Sequence, residues 1–394
     1  MATPFQTGLD VLAGEHFESC RGAVTGVLTH QCAVDRSGVH LLEHLNQQGL
    51  KPSLVLAPEH GLWSTHQDME AVGGTDDLIF GVEVKSLYGD TEQSLRPSVA
   101  MLEDLDLLLV DLQDVGARYY TYAATMVKCM RAAALAGVEV VVLDRPNPIN
   151  GRVVEGCPPA AELKSFVGEL DVPHRHGLTL GELAEWSRRV EHLDVGLRVI
   201  LMEGWQRAEF YDRDRLMWTP PSPNMPSVET AVVYPGLCLL EATNLSEGRG
   251  TTTPFELFGA PWVDPELLAE KVMGEESSPG VVLVPTCFRP QFGKWAGDVC
   301  RGLRIHVTAR DRFKPLALGM ALVKWLPRLF PGEFQWRSEP YEFVSDRPAI
   351  DLLLGDAGLG EALARGDPIR EISASLTSAE AEFAHARQEV LLYP

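Results

Sequence analysis

A carboxylate and an imidazole stand side by side at Glu59 and His60, directly after an apolar run at residues 55–57 and Pro58. A short apolar run of this kind is typical of a buried strand in a parallel sheet. Polar residues that follow such a strand lie at the edge where open α/β sheets bind ligands. Glu59 can therefore act as a general acid there, or it can cap a turn or pair with a nearby cation.

Two more apolar runs, at residues 107–110 and 140–143, also end in polar residues. The first is followed by acids, an arginine and three tyrosines, which can stack on or hydrogen bond a sugar. The same tyrosines can instead pack in the core while the acid caps a helix and the arginine pairs with an acid. Three strand ends of this kind indicate one site along one edge of a sheet. The ligand-binding candidates there are Asp114, Arg118, Tyr119, Tyr120, Tyr122, Arg145 and Asn147.

Two later segments add candidates. His174 and His176 show no third ligand at a recognisable spacing, so we expect His176 to hydrogen bond at the edge of the site and predict no metal. The polar, glycine-rich segment 246–253 contains Glu247, Arg249 and Thr251. The planar guanidinium of Arg249 suits a carboxylate, and flanking glycines allow close approach to a ligand. A surface loop with a local Glu–Arg pair is the alternative.

The order of the predicted elements gives the fold class. Strand and helix patterns alternate in the first half, which predicts an α/β, Rossmann-like doubly wound sheet. Thr179 and Glu182 have the spacing of a capping box at the start of one helix. A proline-rich segment at residues 218–226 precedes a change of pattern. We therefore expect a catalytic domain at residues 1–228 and a smaller α+β domain at residues 229–394 that completes a cleft.

Composition limits the partners. The formal net charge of −21 argues against nucleic acid and against an anionic membrane surface. Seven widely spaced cysteines without a C-x-x-C motif favour reduced thiols. The first residues lack the features of a signal peptide, so we expect a cytoplasmic protein. Dinucleotide, phosphate-loop and nucleophilic-serine motifs are missing from the sequence, and we expect no cofactor.

The chain resembles the NamZ-like exo-lytic β-N-acetylmuramidases. The resemblance rests on an ordered set of motifs that spans most of the chain: residues 58–61, 111–122, 144–149, 176–182, 222–225, 234–236, 246–252 and 259–262, with a similar C-terminal tail from Arg387. One departure is Trp63-Ser64, where many members carry Arg-Gly.

The resemblance implies a site between the two domains and peptidoglycan-derived muramyl saccharides as partners. The implied reaction is hydrolysis of β-linked N-acetylmuramic acid from the non-reducing end. We assign Glu59 as the acid, with Asp114 or Glu247 as the second carboxylate, unless the substrate acetamido group is the nucleophile. His60 and Asn224 join the predicted substrate-binding residues. A non-catalytic sugar-binding module and a Rossmann-type glycosyltransferase that uses a nucleotide sugar are the alternatives.

Overall fold

The apolar runs of the first half form one seven-stranded sheet, in the order β3-β4-β2-β1-β5-β6-β7. The structure, a computed structural model, describes residues 5–72, 75–76, 80–211, 217–275 and 278–394. The strands of this sheet are β1 (Thr25–Thr29), β2 (Leu54–Ala57), β3 (Thr75–Asp76), β4 (Glu83–Ser86), β5 (Leu107–Asp111), β6 (Glu139–Leu143) and β7 (Leu197–Ile200).

The chain winds in both directions from β1. This strand pairs in parallel with β2 on one side and with β5 on the other, and among the described strands of this sheet only the short edge strand β3 is antiparallel to its neighbour. Strands β1, β2 and β5 are buried along their whole length, in agreement with the apolar runs at Leu54–Ala57 and at residues 107–110. The predicted doubly wound sheet is confirmed, and its switch point lies at β1.

A second sheet follows with the antiparallel order β8-β10-β9. Its strands are β8 (Leu257–Ala260), β9 (Val281–Phe288) and β10 (Cys300–Val307). The described helices are α1 (Gly8–Gly14), α2 (Leu41–Gln47), α3 (Tyr122–Ala136), α4 (Leu180–Val190), α5 (Val228–Leu237), α6 (Pro265–Met273), α7 (Pro315–Leu329), α8 (Ala349–Leu354), α9 (Ala357–Arg365) and α10 (Ile369–Ala386). Within the described residues, no helix has both the length and the apolar composition needed to cross a membrane.

Local signals in the sequence set several helix ends. Thr179 caps α4: its hydroxyl accepts from the amide of Glu182 at 3.2 Å, and the Glu182 side chain accepts from the Thr179 amide at 3.0 Å. The predicted capping box is therefore present. Helices α5 and α7 meet at Gly236 and Gly319, where a side chain on Gly236 would lie 1.8 Å from the Pro315 carbonyl oxygen. Only glycine permits this approach.

The last residues of the chain return to the first sheet. The Arg387 guanidinium donates to the carbonyl oxygens of His176 and Gly177 at 2.8 and 2.9 Å. The Tyr393 hydroxyl donates to Asp144 at 2.6 Å, just beyond the end of β6. The C-terminal segment thus ties the part of the chain after residue 229 to the carboxyl edge of the first sheet.

The glycine-bearing segment at residues 73–88 lies partly outside the described residues. Its described parts include β3 and β4, which extend the first sheet beyond β2. The described part of this segment belongs to the sheet, because Glu83–Ser86 pairs in parallel with Leu54–Ala57.

Candidate active site

Glu59 lies where β2 has just ended. The chain turns sharply after it, since His60 and Gly61 both have positive φ, at 71° and 78°. The Thr121 hydroxyl donates to Oε2 of Glu59 at 2.7 Å, and the Met69 amide donates to Oε1 at 3.4 Å. Thr121 immediately precedes α3, so the positive end of that helix lies beside the carboxylate. The strand end, the turn and the helix fix one orientation of Glu59.

A pocket lined mostly by buried side chains surrounds this carboxylate, with about 470 Å³ of space including its open side, and we call it the inner pocket. Its residues come from loops of the first sheet and from segments after residue 229. They are Glu59, His60, Asp68, Tyr119, Tyr120, Thr121, Val167, Ser222, Asn224, Met225, Tyr234, Glu241, Arg249, Phe255, Tyr341 and Glu342. The polar groups project between aromatic side chains, which is the usual composition of a sugar site.

Glu342 is the second carboxyl group close to Glu59. It lies in a tight turn in which Tyr341 and Val344 exchange backbone hydrogen bonds of 2.9 Å, and its φ is 46°. Burial raises the pKa of Glu342 well above its usual range, and the charges of Glu59 and Glu241 add to the increase. The Tyr88 hydroxyl donates to Glu342 at 3.1 Å. Glu342 therefore keeps its proton to a higher pH than an exposed glutamate.

Arg249 is surrounded by carboxylates. Its guanidinium nitrogens lie 3.1 Å from Asp68, 2.8 Å from Glu241 and 3.1 Å from Glu247. Three anions already surround this cation, so a further carboxylate arriving there would be repelled more than attracted. The geometry favours a role for Arg249 in holding the acids of the pocket in place.

The glycines beside Arg249 serve the fold. A side chain on Gly250, whose φ is 79°, would lie 2.6 Å from the Phe292 carbonyl oxygen. The Gly250 carbonyl accepts from the Gln291 amide at 2.9 Å. The close approach that we expected toward a ligand is instead an approach to the segment between β9 and β10.

A wider cleft continues from the inner pocket, with about 1350 Å³ of open space, and we call it the outer cleft. The two share Asp68, Glu241 and Arg249. The outer cleft is also lined by Thr243, Asn244, Glu247, Phe292, Gly293, Lys294, Trp295, Gln335, Trp336, Arg337, Ser338 and Glu339. Glu247 lies here and pairs with both Arg249 and Lys294, the latter at 3.0 Å.

The inner pocket is lined by several residues that the sequence singled out: Glu59, His60, Tyr119, Tyr120, Asn224 and Arg249. Asp114 is not among its lining residues. The Asp114 carboxylate instead accepts from the Gly116 amide at 2.6 Å and lies 3.5 Å from Nε2 of His176. Neither predicted second carboxylate lines the inner pocket, because Asp114 holds a turn and Glu247 faces the outer cleft.

The other predicted ligand-binding residues are likewise absent from the inner-pocket lining, and most of their polar groups bond to backbone. Arg118 donates to the Cys157 and Leu353 carbonyls, Tyr122 to the Pro221 carbonyl, Asn147 to the Leu178 carbonyl and Thr251 to the Gly248 carbonyl. His176 accepts from the Leu178 amide, and Arg145 forms a buried ion pair with Asp111. These residues shape the loops around the pocket.

The polar lining residues that sequence reasoning missed include Asp68, Glu241, Tyr341 and Glu342. None of them follows an apolar strand, which is the pattern that predicted Glu59. The Tyr341 hydroxyl donates to Glu241 at 2.6 Å, so this part of the wall depends on residues a hundred positions apart. In the described part of the chain, no group of three or more His, Cys, Asp and Glu residues is arranged to hold a metal ion.

A carboxyl group that retains its proton, next to a second one, at the carboxyl edge of a doubly wound sheet equips a protein for glycoside hydrolysis. Fold and site thus define a two-domain α/β protein of the glycosidase class. Residues 25–229 match the N-terminal domain, and residues 232–393 the C-terminal domain, of the family described as exo-β-N-acetylmuramidase NamZ. The chain belongs to this family.

Individual relatives agree with that assignment. The chain is 37% identical over 389 residues to the peptidoglycan β-N-acetylmuramidase NamZ of Bacillus subtilis (strain 168), which covers 98% of this chain and 91% of the relative. Crystal structures of two DUF1343 family proteins from Bacteroides fragilis NCTC 9343 are similar to it. Their TM-scores are 0.86 and 0.77, with 29% and 27% identity over 99% of both chains in each pair.

Proposed function

We propose that this chain releases β-linked N-acetylmuramic acid from the non-reducing end of peptidoglycan fragments, and that Glu59 and Glu342 together carry the reaction. The observation behind the assignment of residues is the pair itself. Two carboxyl groups share one buried pocket, and the pKa of Glu342 is raised by burial and by the charge of Glu59. Because Glu342 retains its proton to a higher pH than an exposed glutamate, the pocket holds a protonated carboxyl group beside a second carboxyl group.

Glycoside hydrolysis uses two such carboxyl groups. A proton must reach the leaving oxygen, and a negative charge must stabilise the oxocarbenium-like transition state. We assign proton delivery to Glu59, because Thr121 and Met69 fix its orientation from one side and leave it facing the pocket. The raised pKa of Glu342 favours the proton on that residue in the free protein, so this assignment requires the proton to pass to Glu59 when the substrate binds. Glu342 then takes the place that the sequence gave to Asp114 or Glu247. Burial of both groups strengthens these electrostatic effects by excluding water.

The two alternative functions fit the pocket less well. A binding module for cell-wall sugars has no need of a buried carboxyl group with a raised pKa, which costs stability once it ionises. A glycosyltransferase that uses a nucleotide sugar needs backbone amides or cations for phosphates, but the inner pocket is lined by four acids, Glu59, Asp68, Glu241 and Glu342. Hydrolysis of a sugar end agrees best with this lining.

We further propose that residues 1–228 and 229–394 form two domains and that the protein works in the cytoplasm. The first sheet lies before residue 228 and the second after residue 229, while both sides contribute to the inner pocket. All seven cysteines are free thiols, six of them buried, which suits a reducing compartment. Cell fractionation with an antibody to the chain would test the location.

The direct test of function uses a disaccharide of N-acetylmuramic acid β-linked to N-acetylglucosamine. We expect the purified protein to release both free sugars, and Glu59→Gln to lose most of this activity while folding normally. The isomeric disaccharide with N-acetylglucosamine at the non-reducing end is the control and should stay intact. Cleavage of the control at the same rate, or of neither disaccharide, would reject the proposed function.

A further inference from the structure

The outer cleft has no role in cleaving the terminal sugar, yet it opens directly from the inner pocket. The two spaces meet at Asp68, Glu241 and Arg249. A substrate that places its terminal sugar beside Glu59 can extend its remaining units into the outer cleft. The cleft is therefore positioned on the leaving-group side of the scissile bond.

Two aromatic side chains on the walls of the outer cleft are unusually exposed. Trp336 has 42% and Phe292 has 41% of its surface accessible, whereas most large apolar side chains of the chain are buried. Phe334 supports the indole of Trp336 through an edge-to-face contact with a centroid distance of 4.9 Å. Exposed aromatic groups gathered in a concave site commonly mark a binding surface.

The wall that carries Trp336 is held rigidly. The Asn244 amide donates to the Gln335 carbonyl at 3.0 Å, and the Arg337 amide donates to the Ala242 carbonyl at 2.8 Å. The indole nitrogen of Trp295 donates to the Asn244 carbonyl at 2.6 Å. This network fixes the backbone on both sides of Trp336, so a ligand that stacks on the indole need not order the loop first.

Charge decides which kind of ligand fits. The cations near the junction are already paired, since Lys294 contacts Glu247 and Arg249 contacts three acids. An acidic peptide stem would meet four lining carboxylates, those of Asp68, Glu241, Glu247 and Glu339, against the three lining cations Arg249, Lys294 and Arg337, of which the first two are already paired with acids. A neutral saccharide has apolar C–H faces that pack on aromatic rings and hydroxyls that suit the polar rim formed by Gln335 and Ser338.

We infer that the outer cleft is a binding site for the neutral N-acetylglucosamine unit directly after the scissile bond, with Trp336 and Phe292 as its stacking surfaces. The inference rests on the proposed function, because it takes the terminal sugar to lie in the inner pocket. We therefore expect the protein to prefer substrates that extend beyond the scissile bond to simple terminal glycosides of N-acetylmuramic acid.

The test compares a chromogenic N-acetylmuramide, which has no saccharide leaving group, with a tetrasaccharide that begins with N-acetylmuramic acid. Trp336→Ala should raise KM for the tetrasaccharide by roughly 5- to 30-fold, the effect of losing one aromatic contact, and leave the chromogenic substrate unchanged. Trp336→Phe should restore most of the loss. Leu135→Ala, at a side chain 77% exposed on α3, is the matched surface control and should change neither substrate.

Binding can be measured without turnover. In the Glu59→Gln background, a tetrasaccharide that begins with N-acetylglucosamine should change the tryptophan fluorescence, and Trp336→Ala should abolish most of that change. Equal losses on both substrates in Trp336→Ala, no loss on either, or tighter binding of saccharides that carry peptide stems would overturn the inference. If the wild-type protein cleaves neither substrate, the proposed function is wrong. If the wild-type protein cleaves both and Trp336→Ala has an unchanged KM for the tetrasaccharide, only the outer-cleft site is rejected.

Discussion

The hydroxyl of Thr121 lies 2.7 Å from Oε2 of Glu59, and this contact joins the end of β2 to the start of α3. In the sheet order, β2 lies on one side of β1, and β5, the strand that precedes α3 in the chain, lies on the other. The contact therefore spans the switch point of the doubly wound sheet, where this fold class binds ligands.

Glu59→Gln should reduce turnover of the natural disaccharide by about 10²–10⁴-fold, because it removes the proton donor while keeping its size. A substrate with an activated aryl leaving group needs little protonation, so its loss should be much smaller. The measurement is kcat on both substrates, with circular dichroism to establish folding. An equal and large loss on both would show that Glu59 acts as the charged group and that another residue supplies the proton.

Glu342→Gln should alter the pH dependence of stability. The folded pKa of Glu342 is raised above its usual value of 4.5, so its stabilising contribution is complete below that value. The contribution is lost as the pH rises through the raised pKa, when a buried charge forms beside Glu59 and Glu241. Wild-type Tm should therefore fall over this range, and Glu342→Gln should fall less. Glu339→Gln, at an exposed neighbour in the same segment, is the control. Parallel Tm curves for wild type and Glu342→Gln would contradict the assignment.

The strand-end pattern pointed to Glu59, which lines the inner pocket. The same pattern also pointed to polar residues after β5 and β6, several of which do not line it. In the sheet order β2-β1-β5-β6, the end of β6 lies three strands from Glu59, about 14 Å at the usual strand spacing. Arg145 and Asn147 are therefore too distant to line the inner pocket, although they follow a strand as Glu59 does. The packing of the crossover connections decides which strands are neighbours in the sheet. A single stretch of sequence does not show this order.

Glu342 lines the inner pocket, but no sequence pattern pointed to it. It lies in a turn between α7 and α8, so neither an apolar strand nor a helical period marks it. Its proximity to Glu59 depends on how the second sheet and its helices pack against the first. The capping box at Thr179 and the buried strands were predictable because they depend on residues close in sequence.

Arg249→Met should weaken competitive inhibition by N-acetylmuramic acid and by N-acetylglucosamine to a similar extent. The guanidinium holds Asp68, Glu241 and Glu247, so its loss leaves three carboxylates to repel one another and disturbs the whole pocket. The measurement is the inhibition constant of each sugar. A loss confined to N-acetylmuramic acid would instead show that Arg249 binds the lactyl carboxylate.

Tyr393→Phe should lower the free energy of unfolding by about 1.5–3 kcal/mol, because the tyrosine hydroxyl is a donor to a buried carboxylate. Burial raises the pKa of Asp144 to about 6, so the bond to the charged form matters above that pH. The deficit should be larger at pH 8 than at pH 5 by urea denaturation. Tyr211→Phe, which loses only a 3.3 Å bond to the Met217 carbonyl, is the control. Equal deficits at both pH values would contradict this account.

The enzyme should remove one sugar at a time from the non-reducing end. The inner pocket is lined mainly by buried side chains, which suits a terminal unit, and the outer cleft provides a path for the rest of the chain on one side. An internal unit would need a path on both sides of the pocket. The experiment is a time course on a defined hexasaccharide that begins with N-acetylmuramic acid, followed by mass spectrometry. Free N-acetylmuramic acid and the pentasaccharide should be the first products, and a hexasaccharide that begins with N-acetylglucosamine should remain uncut. Early disaccharide or trisaccharide fragments would show that the chain can lie across the pocket, and the exo mode would then be wrong for this protein.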